Sequence, residues 1–251
     1  MPHSSCRSLR QHILAGAIAI ATAAGPGTSK LQAQAANHPE LNAQLLVAAG
    51  QDDVAKVAGL LARGAAPNSR NRVGKTVLLF ACEKGDLALA DLMLRHGADV
   101  GLASVEGVTP LMAASYSGSA ELVKRLLAAG ARTEPVDRVN KPAIVYAAGE
   151  GHALAVTALL EAGIDIDTRY EHGLTLLMWA AGQGQSEVVK LLLARGADTT
   201  LRDDRGMSAA DIAHQAKHPE TTDLLGRAPS RNRASVPTRR RTRPVSPTSE
   251  P

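Results

Sequence analysis

Aromatic residues are nearly absent from this 251-residue chain, which has one Phe, one Trp and three Tyr. That excludes a core built on rings and an interleaved set of base-stacking platforms for single-stranded nucleic acid. Cysteine is as scarce, with only Cys6 and Cys82, so neither a disulfide framework nor a cysteine metal cage is available. The longest apolar run, ILAGAIAIATAA at 13–24, is too short for a stable membrane anchor. No GxxxxGK phosphate loop and no serine in a nucleophile elbow occurs. The eight histidines pair with no Cys or acid at a recognised spacing. His214 and His218, one helical turn apart beside Asp211, come nearest to a metal pair. Pro219 follows at once and no third ligand is evident. The expectation is a protein without catalytic residues, metal, cofactor or small-molecule substrate.

Glycine is present, and regularly spaced. Gly-Ala or Gly-Ile dipeptides begin at Gly64, Gly97, Gly130, Gly163 and Gly196, each 33 residues after the last. Rows of that length align a second glycine column (Gly74, Gly107, Gly173, Gly206) in which Asn140 fills the gap. Asparagine tolerates a left-handed backbone better than other residues with a side chain. An alanine column (Ala48, Ala81, Ala114, Ala147, Ala180, Ala213) and a leucine column (Leu61, Leu94, Leu127, Leu160, Leu193) run in register with it. A fixed period of this size marks stacked supersecondary units, none able to bury its apolar face alone.

Each row predicts a turn, a short helix, a tight glycine turn, a second helix and an extended return. In 107–131, Thr109 caps the first helix and Pro110 suits its first turn, while Gly118 ends it. Leu122, Val123, Leu126 and Leu127 form the apolar stripe of the second helix. Pro142 stands where the other rows have threonine, so a local kink is expected there. Cys82 falls in a column of small residues and is expected in the core.

TPLMAA (109–114), TVLLFA (76–81) and TLLMWA (175–180) resemble the signature of the ankyrin repeat. The resemblance implies an all-α ankyrin solenoid of about six helix-turn-helix repeats with β-hairpin tips. Its rows fall at about 40–72, 73–105, 106–138, 139–171, 172–204 and 205–226, the first and last as caps. The family's usual histidine is replaced by Leu79, Met112, Val145, Met178 and Asp211. Its hydrogen bonds are therefore expected to be missing, leaving apolar packing to hold the stack.

Two other kinds of sequence flank the domain assigned to 36–226. Residues 1–35 read as a bacterial-type secretory signal: Arg7 and Arg10, the apolar run, then Ala33 and Ala35 before the cut. Residues 227–251 hold arginine and proline without apolar periodicity and read as a disordered tail. The leader carries +3 and the tail +6 of a whole-chain charge of +4, which leaves −5 on residues 36–225. Arg239, Arg240, Arg241 and Arg243 can meet phosphates on an anionic surface or nucleic acid.

The resemblance implies protein binding through the concave face of the first helices and through the hairpin tips. Phe80, Tyr146 and Trp179 share one column of that face, with Glu83, Lys84, Tyr116, Glu150 and Gln183 about one helical turn further on. The tips bring Arg70, Arg72, Glu106, Arg138, Tyr170, His172 and Arg205. The expected function is capture of a protein partner in the periplasm. The alternatives are a secreted effector acting on a host protein and a binder of anionic surfaces or nucleic acid through the tail.

Overall fold

The computed structural model describes residues 38–228, and every described element is helical. The expected leader and the tail from residue 229 onward lie outside the described residues. Twelve α-helices follow in six pairs: α1 Pro39–Gly50 and α2 Val54–Ala62, α3 Val77–Lys84 and α4 Leu87–Arg95, α5 Pro110–Tyr116 and α6 Ala120–Ala128, α7 Ala143–Gly149 and α8 Ala153–Glu161, α9 Leu176–Gly182 and α10 Ser186–Ala194, α11 Ala209–Gln215 and α12 Pro219–Arg227. They fall into two compact units, one ending at Ile164 and one beginning at Asp165.

Within the first unit α1, α3, α5 and α7 pack in succession, and α2, α4, α6 and α8 form a second layer behind them. The alanine column is what permits this: Ala48, Ala81, Ala114 and Ala147 are fully buried, so neighbouring backbones approach closely. Leu78, Leu79, Leu111, Met112 and Ile144 fill the space between, with Leu89, Met93, Leu122, Leu126 and Leu159 from the second layer. The second unit repeats the pattern with α9 on α11 and α10 on α12 around Leu176, Leu177, Val188, Val189 and Leu192.

Helices of seven to nine residues are too short to persist alone in water, so their ends are specified. The hydroxyls of Thr76, Thr109 and Thr175 accept from the backbone N–H of Leu79, Met112 and Met178 at 3.2, 3.2 and 3.4 Å. Three residues standing where the family has histidine also act at the helix starts. The Met112 and Met178 sulfurs accept the N–H of Thr109 and Thr175 at 3.4 Å, and Asp211 Oδ2 accepts that of Ser208 at 2.9 Å.

Polar ties between repeats also exist, contrary to the expectation of apolar packing alone. His152 Nε2 lies 3.0 Å from the Tyr116 carbonyl, the Ser117 hydroxyl donates to the Cys82 carbonyl at 2.9 Å, and Arg125 pairs with Asp91. The kink expected at Pro142 is absent. Its φ of −79° and ψ of 168° match the −87° and 161° of the capping Thr109, because an N-cap needs the geometry proline already favours. Only the cap bond is lost. Asn140 takes φ = 55°, as its column requires.

Candidate functional site

The tips are hairpin-like turns with no strand among the described residues. Each closes a short backbone rung, as from Asn71 N to the Lys75 carbonyl at 3.0 Å or Asp203 N to Met207 at 2.9 Å. A column of acceptors that the sequence reading passed over builds them from inside. Asn71 Oδ1 accepts from Val73 N and Lys75 N at 3.0 and 2.9 Å, Asp137 Oδ1 from Val139 N and Lys141 N at 3.1 and 2.9 Å, and Asp203 Oδ1 from Arg205 N and Met207 N at 2.9 and 2.8 Å. Ser104 supplies a weaker version to Val108 N at 3.3 Å. Tyr170, next in the column, cannot reach back in this way. That tip is instead a 3-10 turn over Glu171–Gly173 with His172 at φ = 59°.

Several residues expected to meet a partner are committed to the protein itself. Arg70 donates to Gly74 and Ala103 carbonyls, Lys84 pairs with Asp52, and Arg138 pairs with Glu106 at 3.0 Å. Arg205 pairs with the buried Asp203 at 2.8 Å. Arg72, Glu106, His172 and Arg205 are exposed, while Tyr170 is half-buried and burial pushes its phenol up to about 12. More telling are Val73, Val105 and Val139, which expose about half of their surface at three consecutive tips. Their sequence signal was an apolar residue at the centre of a turn, where no helical period accounts for it.

The positions expected on a concave face divide between the two units. Trp179 and Gln183 stand on and just after α9 in the second, Trp179 half-buried and Gln183 exposed. Phe80, Glu83, Lys84, Tyr116, Tyr146 and Glu150 belong to the first. There the column runs Phe80, Ala113, Tyr146, and a second column just ahead of the helix N-caps runs Lys75, Val108, Lys141. The Lys75 ammonium lies 5.9 Å over the Phe80 ring, and that of Lys141 lies 5.9 Å over the Tyr146 ring. Val108 and Ala113 interrupt both columns at once. The interruption is an open cleft of about 320 Å³ lined by Glu83, Val108, Met112, Ala113, Tyr116 and Tyr146.

The cleft has a buried apolar floor in Met112 and Ala113. Its wall is the Tyr116–Tyr146 pair, edge to face with centroids 6.0 Å apart and planes at 81°. Tyr116 is 56% exposed, an unusual investment for a ring in a protein with so few. Tyr146 is fixed from behind: its hydroxyl donates to Asp137 Oδ2, the same carboxylate that builds the third tip. Burial first, then the Asp137 hydrogen bond and charge, drive its phenol above the ordinary tyrosine range. Glu83 is anchored at the rim by Lys75 at 2.7 Å.

Among the described residues no group of three or more His, Cys, Asp or Glu is placed to hold a metal, and no helix is long and apolar enough to cross a membrane. Cys82 is buried, and burial first, then the Glu83 charge, push its thiol up to about 12, so the thiolate needed for reactivity does not form near neutral pH.

The chain matches the family described as ankyrin repeats (3 copies) over residues 45–137 and 144–230. It is similar to the crystal structure of EF0377, an ankyrin repeat protein, at 30% identity and a TM-score of 0.66, covering 74% of this chain and 97% of that one. The search of curated proteins found no match.

Proposed function

The chain belongs to the ankyrin repeat family, and we propose that it captures a protein partner on the concave face and tips of its first unit. Members of this family are typically interaction scaffolds without catalysis. The single observation carrying the finer reading is the open cleft at Tyr116 and Tyr146, on the same unit as three consecutive solvent-exposed valine tips. Exposed aromatic and aliphatic anchors around a desolvated floor are the usual source of interface energy. Packed helices and acceptor-built tips preform this surface, so little ordering entropy opposes association.

Affinity capture tests the reading with three proteins: the parent, a Val105→Asp/Tyr116→Ala variant, and a Leu154→Ala control that alters an exposed residue outside the cleft and tips. The expected result is a partner held by the parent and the control and lost by the double variant, with circular dichroism unchanged. Loss from neither variant would remove the surface from the proposal.

Export to the periplasm is part of the same proposal, supported by the basic, apolar and small-residue order of residues 1–35. Cell fractionation with N-terminal sequencing is expected to return a periplasmic protein beginning at Ala36. Recovery from the medium would favour the effector reading, and binding abolished by deletion of 227–251 would favour the arginine tail as the contact.

A further inference from the structure

Resting on that reading, we infer that the cleft is a receptor for one aromatic side chain of the partner, a tryptophan or tyrosine, whose N–H or O–H is donated to Glu83. Three observations converge on this occupant. First, the cleft is the vacancy of a side chain. Its column holds Phe80 on one side and Tyr146 on the other, while Ala113 between them ends at Cβ. A ring entering there completes a row that the protein's own sequence interrupts.

Second, the surfaces that the vacancy exposes suit a ring. Tyr116 and Tyr146 already stand edge to face, and a third ring extends that geometry, which is favourable beyond area burial alone. Val108 gives it an apolar bed, backed by the buried Met112 and Ala113. The volume of about 320 Å³ lies at the low end for ligand pockets, which run from about 300 to 1,000 Å³. It is ample for one large aromatic side chain.

Third, the polar chemistry at the rim asks for a donor without a full charge. Lys75 takes Glu83 Oε1, which leaves Oε2 to receive an indole N–H or a phenol O–H. A lysine or arginine side chain is disfavoured here. The Lys75 ammonium already pairs with Glu83 and lies 5.9 Å over the Phe80 ring, so an entering cation finds both the carboxylate charge and that ring face taken.

The test titrates the full chain, labelled with ¹³C at its methionine methyls, with N-acetyl-tryptophanamide and separately with N-acetyl-argininamide. Met112 lines the cleft, while Met93 in the core and Met178 in the second unit are internal references. The expected result is a saturable shift of the Met112 methyl with the tryptophan probe, no shift at Met93 or Met178, and none anywhere with the arginine probe. Ala113→Phe fills the vacancy and is expected to abolish the shift. Tyr116→Ala, an exposed position where folding is not at stake, is expected to weaken it.

A Met112 response to the arginine probe alone would overturn the inference, as would equal shifts at all methionines or an unchanged response in Ala113→Phe. The two readings fail separately. A partner still captured by folded Ala113→Phe sinks the aromatic anchor and leaves the wider interaction surface standing.

Discussion

Replacing Asp137 is expected to be the most damaging single polar change in the first unit. This carboxylate is 8% exposed and accepts three hydrogen bonds: from Val139 N at 3.1 Å, from Lys141 N at 2.9 Å and from the Tyr146 hydroxyl. Hydrogen bonds to charged acceptors contribute about 1.5–3 kcal/mol each. The Val139 and Lys141 amides lie near solvent and recover part of that from water. Asp137→Ala should therefore cost about 3 kcal/mol, a fall of about 1.5 M in the urea midpoint at a slope of about 2 kcal/mol/M.

Asp137→Asn retains an oxygen for the two amides and a polar group for Tyr146, so its cost should be about 1 kcal/mol. Tyr146→Phe removes one bond and should cost about as much. The double variant Asp137→Ala/Tyr146→Phe should fall short of the sum by about 1 kcal/mol, because the pair shares one interaction. Urea unfolding monitored by circular dichroism, with hydrogen exchange over 137–149, reads all four. An Asp137→Asn variant as damaged as Asp137→Ala, or strictly additive costs, would refute the assignment of Asp137 as the acceptor that joins tip and cleft.

Three further predictions address the scaffold. Gly118 has φ = 77°, and an added Cβ would lie 2.5 Å from the His152 ring; Gly118→Ala should cost about 2 kcal/mol or more, with His152→Ala relieving the contact but not the backbone strain, so that rescue in thermal unfolding is incomplete. Exposed Lys217 is held at φ = 62° in the column that is glycine in the interior repeats; Lys217→Gly should stabilise the protein by about 1 kcal/mol, a rise of about 2–4 °C in Tm. Burial raises the Cys82 thiol from 9.0 to about 12, so the unfolded thiol ionises first and its stabilising contribution, complete below pH 9, is lost as pH climbs toward 12; a stability–pH profile over that window should be flatter for Cys82→Ala.

The repeat was legible because each 33-residue row states the same local chemistry. The Thr109 cap, the Pro110 first turn and the left-handed Asn140 all follow from neighbours in sequence. Pro142 misled because proline was read as a breaker, whereas at an N-cap its fixed φ reproduces what threonine adopts there. The acceptors Asn71, Asp137 and Asp203 were in plain sight as a column, but as polar turn residues they read as solvated rather than as the frame of three tips, buried at Asp137 and Asp203.

The cleft was harder to see. Its residues come from three successive repeats, and what defines it is an alanine where the rows on either side carry rings. The exposed Tyr116 and half-buried Tyr146 were identifiable from helical spacing, yet the commitment of Lys84 to Asp52 and of Arg70 to the Ala103 carbonyl depends on contacts about one repeat away in sequence. Charge alone therefore overstated how much of the polar surface is free to meet a partner.

The central claim is that a partner binds where Tyr116 stands. A photo-crosslinking amino acid placed at position 116, and in a second protein at position 154, tests it in the native cell. The account predicts a discrete crosslinked partner from position 116 that is suppressed by Ala113→Phe, and none from position 154. Equal crosslinking from both positions, or a partner reached from 154 alone, would contradict it.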